Sequence, residues 1–203
     1  MARLFWFGRG SRLFDTDVKD NPRPPQRSDT MATKKTSMFT LTERLTVDDG
    51  NFTQATIDLG SYVDVGDRQA IQVHSVDYVF QGTQPKDDLV SNIGTGLEVG
   101  VQVLDLNRGE LVFADDRSLI SSAKLAIDTV GGVHEAFDMY PDNYGKGSES
   151  GRYVVNDQLY IGCRTSTAPA SAFNVTVRVN ASIVSLSAKD FMAIAIQSTA
   201  ADN

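Results

Sequence analysis

His74 and His134 are the two histidines of this 203-residue chain, and histidine is the commonest metal-binding side chain in proteins. Jelly-roll enzymes of the cupin type hold a metal with a His-x-His pair, but Val76 stands where the second histidine would be. His134 is followed by Glu135 and then by Asp138, which together make a weak set of ligands. We interpret His134 as a solvated loop residue, and the sequence predicts no metal site.

Nucleophilic catalysis also has little support in the sequence. The single cysteine, Cys163, has neither histidine close to it in sequence, and a nucleophilic thiol needs a base nearby. We therefore interpret Cys163 as a buried structural thiol. The glycines at 94, 96, 131 and 132 lack the lysine, serine or threonine of a phosphate-binding loop. The sequence predicts a protein that is not an enzyme and that has no cofactor and no small-molecule substrate.

Three pairs of adjacent aspartates, at 48–49, 87–88 and 115–116, stand at predicted loops or element ends. Carboxylates that converge from neighbouring loops could bind Ca²⁺, which takes about six to eight oxygen ligands. None of the pairs has the spacing of a calcium-binding loop. We interpret them as turn formers, helix N-terminal charges and solubilising groups.

Charge divides the chain into two parts. Residues 1–37 hold eight basic and four acidic residues, a net charge of +4, whereas the remaining 166 hold 11 basic and 22 acidic residues, a net charge of −11. A net charge of −7 and a pI near 4.8 argue against the whole chain being a nucleic-acid binder. The split instead predicts a basic segment that meets polyanions or neighbouring subunits, and an acidic body that faces solvent.

The segment 1–37 has the composition of an extended arm. Its prolines disfavour a helix and favour polyproline-like backbone, and large aromatic residues alternate with arginines upstream of them. We predict that the arm docks on the protein's own body or on a neighbouring copy, with lipid headgroups or nucleic acid as alternative partners. The candidate assembly residues are Arg3, Phe5, Trp6, Phe7, Arg9, Arg12, Phe14, Pro22, Arg23, Pro24, Pro25 and Arg27, and the candidate nucleic-acid contacts are Arg9, Arg12, Arg23, Arg27, Lys34 and Lys35.

Membrane insertion and export have no sequence signal. No segment approaches the roughly 18 apolar residues that span a bilayer. The apolar run at 4–7 is shorter than the roughly 7–15 residues of a secretory h-region, so we expect no signal peptide.

Alternation of apolar and polar residues from position 38 onward predicts strands. The alternation changes phase within 70–80, as a β-bulge would cause. Two loops, at 82–96 and 140–151, are rich in glycine and polar residues. The predicted strands are 39–47, 52–59, 70–80, 97–104, a short one at 110–113, 152–161 and 173–183.

Two segments have helical patterns. Ser187 and Asp190 form a capping signal for a helix from 188 to about 198, although alternation within this segment leaves a strand open. A short inserted helix is predicted at 115–128, because an acidic first turn precedes apolar residues at helical spacing, namely Leu119, Ile120, Ala123 and Ile127.

Seven to nine strands with few helices predict an all-β fold, an antiparallel sandwich. A jelly roll is the first choice and an immunoglobulin-like sandwich the second. The predicted organisation is a basic, proline-containing arm over 1–37 followed by one sandwich domain over 38–203.

Two blocks of the body carry a resemblance to a known family. They are IDLGSYVDVGDRQ at 57–69, continuing with IQVHSVDY at 71–78, and VSLSAKDFMAIA at 184–195. These blocks resemble the single-jelly-roll major capsid proteins of small tailless icosahedral viruses of prokaryotes. The resemblance implies a virion protein, made in the host cytoplasm, that assembles with copies of itself and with other virion proteins. The arm would tie subunits together and would contact the genome or an inner membrane as a secondary task. One departure is that arms that neutralise a packaged genome usually carry denser basic runs.

Two other functions remain open from the sequence. The chain could be a carbohydrate- or receptor-binding sandwich of a fibre or cell surface, with Tyr140, Tyr144 and Tyr153 exposed in a groove. It could also be a jelly-roll enzyme with a metal, but a chain with only two histidines and no His-x-His pair disfavours this function.

Overall fold

Two antiparallel β-sheets make up most of the protein in a computed structural model, which describes residues 32–128, the backbone of 133–140, residue 144 and residues 151–199. These residues form two helices, α1 (Leu89–Ile93) and α2 (Ala188–Thr199). They also form ten strands: β1 (Ala32–Lys34), β2 (Phe39–Val47), β3 (Thr53–Asp58), β4 (Gln69–Gly82), β5 (Leu97–Leu104), β6 (Leu119–Ile127), β7 (Val133–Tyr140), β8 (Arg152–Val154), β9 (Gln158–Thr165) and β10 (Phe173–Leu186).

Strand β10 organises the first sheet. Strand β4 pairs with one edge of β10 along its length, and β8 follows β4. The other edge of β10 is shared by β2, which pairs with its first part, and by β1, which pairs with its last residues. The second sheet has the order β3-β9-β5-β6-β7. All these pairings are antiparallel, so the predicted all-β antiparallel sandwich is confirmed.

The strand pairings are nested in sequence. The first long strand, β2, pairs with the last, β10; β3 pairs with β9, β4 with β8, and β5 with β6. From β2 to β5 and from β8 to β10, successive strands alternate between the two sheets, whereas β5 and β6 are neighbours in the second sheet. The short β1 and the edge strand β7 are additions to this scheme.

The core lies between the two sheets and follows from alternation. On β10 the side chains of Phe173, Val175, Val177 and Val179 have no exposed surface, while the residues between them face outward. Apolar residues of β5, β6 and β9 from the opposite sheet complete the same cluster. Burial of these side chains supplies the main favourable free energy of folding.

The predicted phase change in β4 is confirmed as a β-bulge. Asn180 of β10 lies opposite Ser75, whereas the next residue, Ala181, lies opposite Val73, so His74 is the extra residue. A bulge of this kind lets residues on both sides of it face the same core.

The helix predicted at 115–128 is wrong, because most of this segment is strand β6. Ser121 lies opposite Val103 and Leu119 opposite Leu104, which leaves Ile120 as an extra residue in a second bulge. Three consecutive residues from Leu119 are consequently buried, so the strand lacks the simple alternation that would have identified it. The inserted helix is instead the short α1, inside the segment 82–96 that was predicted to be a loop.

Other boundaries also differ from prediction. The segment 110–113 is not a strand, and 152–161 belongs to two strands, β8 and β9, in different sheets. Strand β7 was not predicted, so His134 lies on a strand opposite Ala126 rather than in a loop. Strand β1 lies within the predicted arm and attaches residues 32–34 to the first sheet. With β1 and β7, the described residues hold ten strands rather than seven to nine.

The C-terminal helix is confirmed and covers a second, smaller apolar cluster. The Ser187 hydroxyl accepts a hydrogen bond from the Asp190 amide at 3.2 Å, as an N-cap residue does, and donates one to the Asp190 carboxylate. We call the buried residues at this contact the second cluster; they are Phe191 of the helix and, beneath it, Ala70, Val155, Val184 and Leu186.

Candidate functional site

The root of the predicted arm is attached firmly to β10. Ala32 lies opposite Leu186 in the antiparallel pairing of β1. The Lys35 amide donates to the carbonyl of Ile183 at 2.8 Å, and the Ile183 amide donates to the Thr36 hydroxyl at 2.9 Å. Ala32, the first described residue, therefore lies beside the end of β10, close to the start of α2.

The candidate residues of the arm fall mostly outside the described part of the chain. Lys34 and Lys35 are the exceptions, and both are exposed beside the arm root. Both side chains are accessible from solvent, and their contact with nucleic acid stays a prediction. The candidates outside the described residues are Arg3, Phe5, Trp6, Phe7, Arg9, Arg12, Phe14, Pro22, Arg23, Pro24, Pro25 and Arg27.

Helix α2 presents apolar side chains on two sides. Phe191, Ile194 and Ala195 pack into or against the second cluster. Met192 and Ile196, one helical turn apart, remain 58% and 59% exposed. Because residues four apart are neighbours on a helix surface, these two side chains form one apolar patch, which we call the α2 outer patch.

His74 makes a hydrogen bond within the first sheet. Its Nε2 lies 2.8 Å from the Ser182 hydroxyl, across the bulge between β4 and β10. The side chains of the other candidate metal ligands, His134, Glu135 and Asp138, lie outside the described residues. Within the part of the chain whose side chains are described, no group of three or more His, Cys, Asp or Glu residues is arranged to hold a metal.

Cys163 is buried in the main core, as predicted, at a position on β9 opposite Thr53. Burial raises the pKa of its thiol to about 12, because the apolar surroundings disfavour the thiolate. At neutral pH the sulfur is therefore a protonated packing group.

The aspartate pairs act in turns and at a helix start, as interpreted from the sequence. The Asp49 carboxylate accepts from the Asn51 amide at 2.9 Å, and Asp88 is the N-cap of α1, accepting from the Val90 amide at 3.2 Å. Burial alone would raise the pKa of Asp116, but hydrogen bonds from Ser118 and the positive charge of Arg108 lower it. Its carboxylate also lies 3.3 Å from Arg108 Nε.

A groove of about 450 Å³ on the outer face of the second sheet was missed by sequence reasoning. The segment 111–113 lies over this face, held by the Gln102 amide, which accepts from the Val112 N–H and donates to the Val112 carbonyl, both at 2.8 Å. Gly100 makes room for the covering segment, since a Cβ there would lie 2.9 Å from Leu111 Cδ1. Phe113 at the rim is 87% exposed.

A buried ion pair was also missed. Asp105, at the end of β5, is 3% exposed, and its Oδ2 lies 3.5 Å from the Arg152 guanidinium. Burial raises the pKa of Asp105 to about 6, although the Arg152 charge acts in the opposite direction. A small cavity of about 230 Å³ adjoins the pair and is lined on its other side by Ile194 and Ser198 of α2. Asp105 and Arg152 are 47 positions apart in the sequence, and no local pattern predicts that they are in contact.

Two tyrosines of the predicted binding groove lie in different places. The Tyr144 hydroxyl donates to the Ile120 carbonyl at 3.0 Å, and the residue packs against the main core. Tyr153 packs against the second cluster. The side chain of Tyr140 lies outside the described residues.

No protein-family model matches the sequence, and a search of curated proteins finds no significant match. Neither of the two described helices is long and apolar enough to cross a membrane.

Proposed function

We propose that this protein is a structural subunit that assembles with copies of itself into a viral capsid shell. In this proposal the body is a jelly roll, and the N-terminal arm ties subunits together and reaches the genome or an inner membrane as a secondary task. Other virion proteins are further partners. The observation that carries the proposal is the nested strand pairing, together with the position of the arm root.

The strand order supports the jelly roll. Leaving β1 and β7 aside, the sheets read β2-β10-β4-β8 and β3-β9-β5-β6. Eight strands in two sheets with nested antiparallel pairing are what a rolled pair of Greek keys produces, and viral capsid domains use this architecture. Lectin domains use it too, so the fold alone leaves more than one function.

The arm root favours the capsid over the other jelly-roll functions. The arm leaves from an edge strand of the first sheet, where Lys34 and Lys35 are exposed, and carries the opposite charge to the body. Opposite charges favour contact between the arm of one subunit and the acidic body of another. A net charge of +4 over 37 residues provides only a small number of phosphate contacts, which is why subunit contact comes first.

Electron microscopy of purified full-length protein tests the proposal. We expect closed particles, and we expect a variant lacking residues 1–30, which retains β1, to stay folded but to form only small species. Unchanged particles from the shortened variant would overturn the proposed role of the arm. Full-length protein that remains monomeric at high concentration would overturn the capsid proposal.

A second candidate is a carbohydrate- or receptor-binding module, and the groove on the second sheet is the observation in its favour. The exposed Phe113 and the exposed Arg164 line it together with the Lys124–Glu98 ion pair, whose atoms are 2.7 Å apart. An aromatic side chain beside charged groups suits a sugar or a polar peptide. A monomeric protein that binds specific glycans on an array, and that loses this binding in Phe113→Ala, would favour this candidate.

A further inference from the structure

We propose that the α2 outer patch, Met192 and Ile196, is the docking site for the aromatic segment 4–14 of the arm of a neighbouring copy. This inference rests on the proposed function, and it names the surface on which one subunit holds the next.

The patch joins exposed apolar side chains that are neighbours on one helix. Met192 and Ile196 are 58% and 59% exposed and stand next to each other, with the exposed Ala193 beside them. Neither side chain is needed to attach α2 to the body, because Phe191, Ile194 and Ala195 provide that contact. Contiguous exposed apolar surface of this kind is typical of an interaction site.

The arm begins close to the patch. Strand β1 runs antiparallel to β10, so its first residue, Ala32, lies at the end of β10 that leads into α2. Only Ser187 separates Leu186, the partner of Ala32, from the first residue of the helix. Thirty-one residues precede Ala32, and they include the large apolar side chains Leu4, Phe5, Trp6, Phe7, Leu13 and Phe14.

The length of the arm favours the helix of another copy over its own. Phe14 lies 18 residues before Ala32, which corresponds to about 55 Å of polyproline-like chain at about 3.1 Å per residue. Helix α2 has 12 residues and is about 18 Å long. Pro22, Pro24 and Pro25 disfavour a helical, compact form of this segment, so its reach extends well past its own α2 to the helix of a neighbouring copy.

The chemistry of the two surfaces is complementary. Phe5, Trp6 and Phe7 supply large rings that bury much area for little loss of conformational entropy, as interface anchors do. The flexible thioether of Met192 adapts to such rings and makes favourable sulfur–aromatic contacts. Two exposed apolar side chains with the small, exposed Ala193 beside them offer a shallow surface for one or two rings.

Photo-crosslinking in assembled full-length protein identifies the occupant. Isotopically heavy and light subunits, each with a benzophenone side chain in place of Met192, are mixed before assembly, irradiated and analysed by mass spectrometry. We expect crosslinks to residues 4–14, with about half of them joining a heavy to a light chain, as random mixing of copies requires. Crosslinks that never reach 4–14, or that join only chains of the same isotope, would overturn the inference.

A pair of matched variants gives an independent measurement. We expect the double variant Met192→Gln/Ile196→Gln to raise the protein concentration needed for assembly about tenfold or more, since it removes two apolar contacts from each subunit junction. Phe113→Gln removes an apolar side chain that is 87% exposed on the outer face of the second sheet, and should change that concentration less than about twofold. An equal effect of the two variants would overturn the inference.

The two proposals fail in different ways. Particles that form but show no crosslink between position 192 and the arm would leave the capsid subunit standing and remove this docking site. Crosslinks between copies that appear only in small oligomers would support the docking site and overturn the shell.

Discussion

The interior of the sandwich and the second cluster beneath α2 are built from similar residues but are closed to different degrees. The main core contains 24 buried apolar residues contributed by both sheets, within the described part of the chain. The second cluster has five, and helix α2 covers it with one side while leaving Met192 and Ile196 exposed on another. The first region is closed within one chain, whereas the second adjoins the exposed α2 outer patch.

This difference separates the parts of the molecule by role. The sheets need nothing beyond themselves to bury their inner faces. The arm root, the end of β10 and the C-terminal helix all contact the second cluster. Regions with few buried contacts open more easily than a closed core, so we expect this small cluster to be the less stable of the two regions.

The largest expected effect is on the closed region. Phe173 has no exposed surface and lies at the start of β10, opposite Val47 on one side and Gly82 on the other. We expect Phe173→Ala to lower the free energy of unfolding by about 3–5 kcal/mol, measured by urea denaturation, because it leaves a cavity between the sheets. Phe113→Ala, at a residue that is 87% exposed, is the control and should change it by less than about 0.5 kcal/mol. A loss below about 1 kcal/mol in Phe173→Ala would contradict the description of a closed core.

The second cluster should respond more weakly and more locally. Phe191 is 6% exposed and is the largest side chain of that cluster. We expect Phe191→Ala to cost about 3 kcal/mol or less, at the low end for buried phenylalanine, because the edge of the cluster can collapse. Hydrogen exchange should show lost protection in α2 and β1 and unchanged protection in β5 and β6. Equal loss of protection in both sheets would mean that the two regions unfold as one unit.

The Asp105–Arg152 pair lies between these regions, since its adjoining cavity is lined by α2. The pKa of Asp105 is raised to about 6 from an ordinary value near 3.8, so the folded protein binds this proton more tightly than the unfolded chain does. Its contribution to stability is therefore full below about pH 4 and is lost as pH rises through about 6. The loss amounts to about 2–3 kcal/mol at roughly 1.4 kcal/mol per pKa unit.

Asp105→Asn removes that proton-binding group. The difference in unfolding free energy between wild type and variant, measured between pH 4 and 7, should therefore shift by about 2–3 kcal/mol in favour of the variant as pH rises. Asp116, whose pKa is lowered, acts with the opposite sign in both proteins, and it cancels in the difference only in part because its charge also raises the pKa of Asp105. Parallel pH profiles for the two proteins would contradict the assigned role of Asp105.

Local patterns predicted the parts of the fold that depend on one strand or one turn. The alternation of β10, the bulge at His74 and the N-cap at Ser187 are all decided by residues close in sequence. Strand β6 was missed because a second bulge at Ile120 places two apolar residues, Leu119 and Ile120, side by side, and with Ala123 and Ile127 they match helical spacing. The segment 110–113 was predicted to be a strand, but the backbone of Val112 bonds to the side-chain amide of Gln102 rather than to a neighbouring strand.

The features of the candidate site that were missed are contacts between distant residues. The arm root and α2 meet because β1 pairs with β10 about 150 residues later in the chain, and composition alone does not predict that register. Met192 and Ile196 were assigned to a helix with a strand as the alternative, and only the packing of Phe191 decides which side of that helix remains exposed.

The smallest expected effect is on the stability of the first turn of α2, the helix that carries the α2 outer patch. Ser187 caps α2 through the Asp190 amide, so Ser187→Ala should cost about 1 kcal/mol, and Ser187→Thr, which keeps the hydroxyl, should cost less. Urea denaturation measures the stability, and hydrogen exchange locates the loss in the first turn of α2.

Asp88→Ala at the N-cap of the five-residue α1 sharpens the comparison, because that helix buries Ile93 in the main core. Helix α1 packs on the main core through Ile93, whereas α2 packs on the smaller second cluster. We therefore expect Ser187→Ala to increase exchange in its helix more than Asp88→Ala does at a similar cost in global stability. The reverse order would mean that α2 is held as firmly as the sandwich, and that the second cluster is a continuation of the main core rather than a separate region of the subunit.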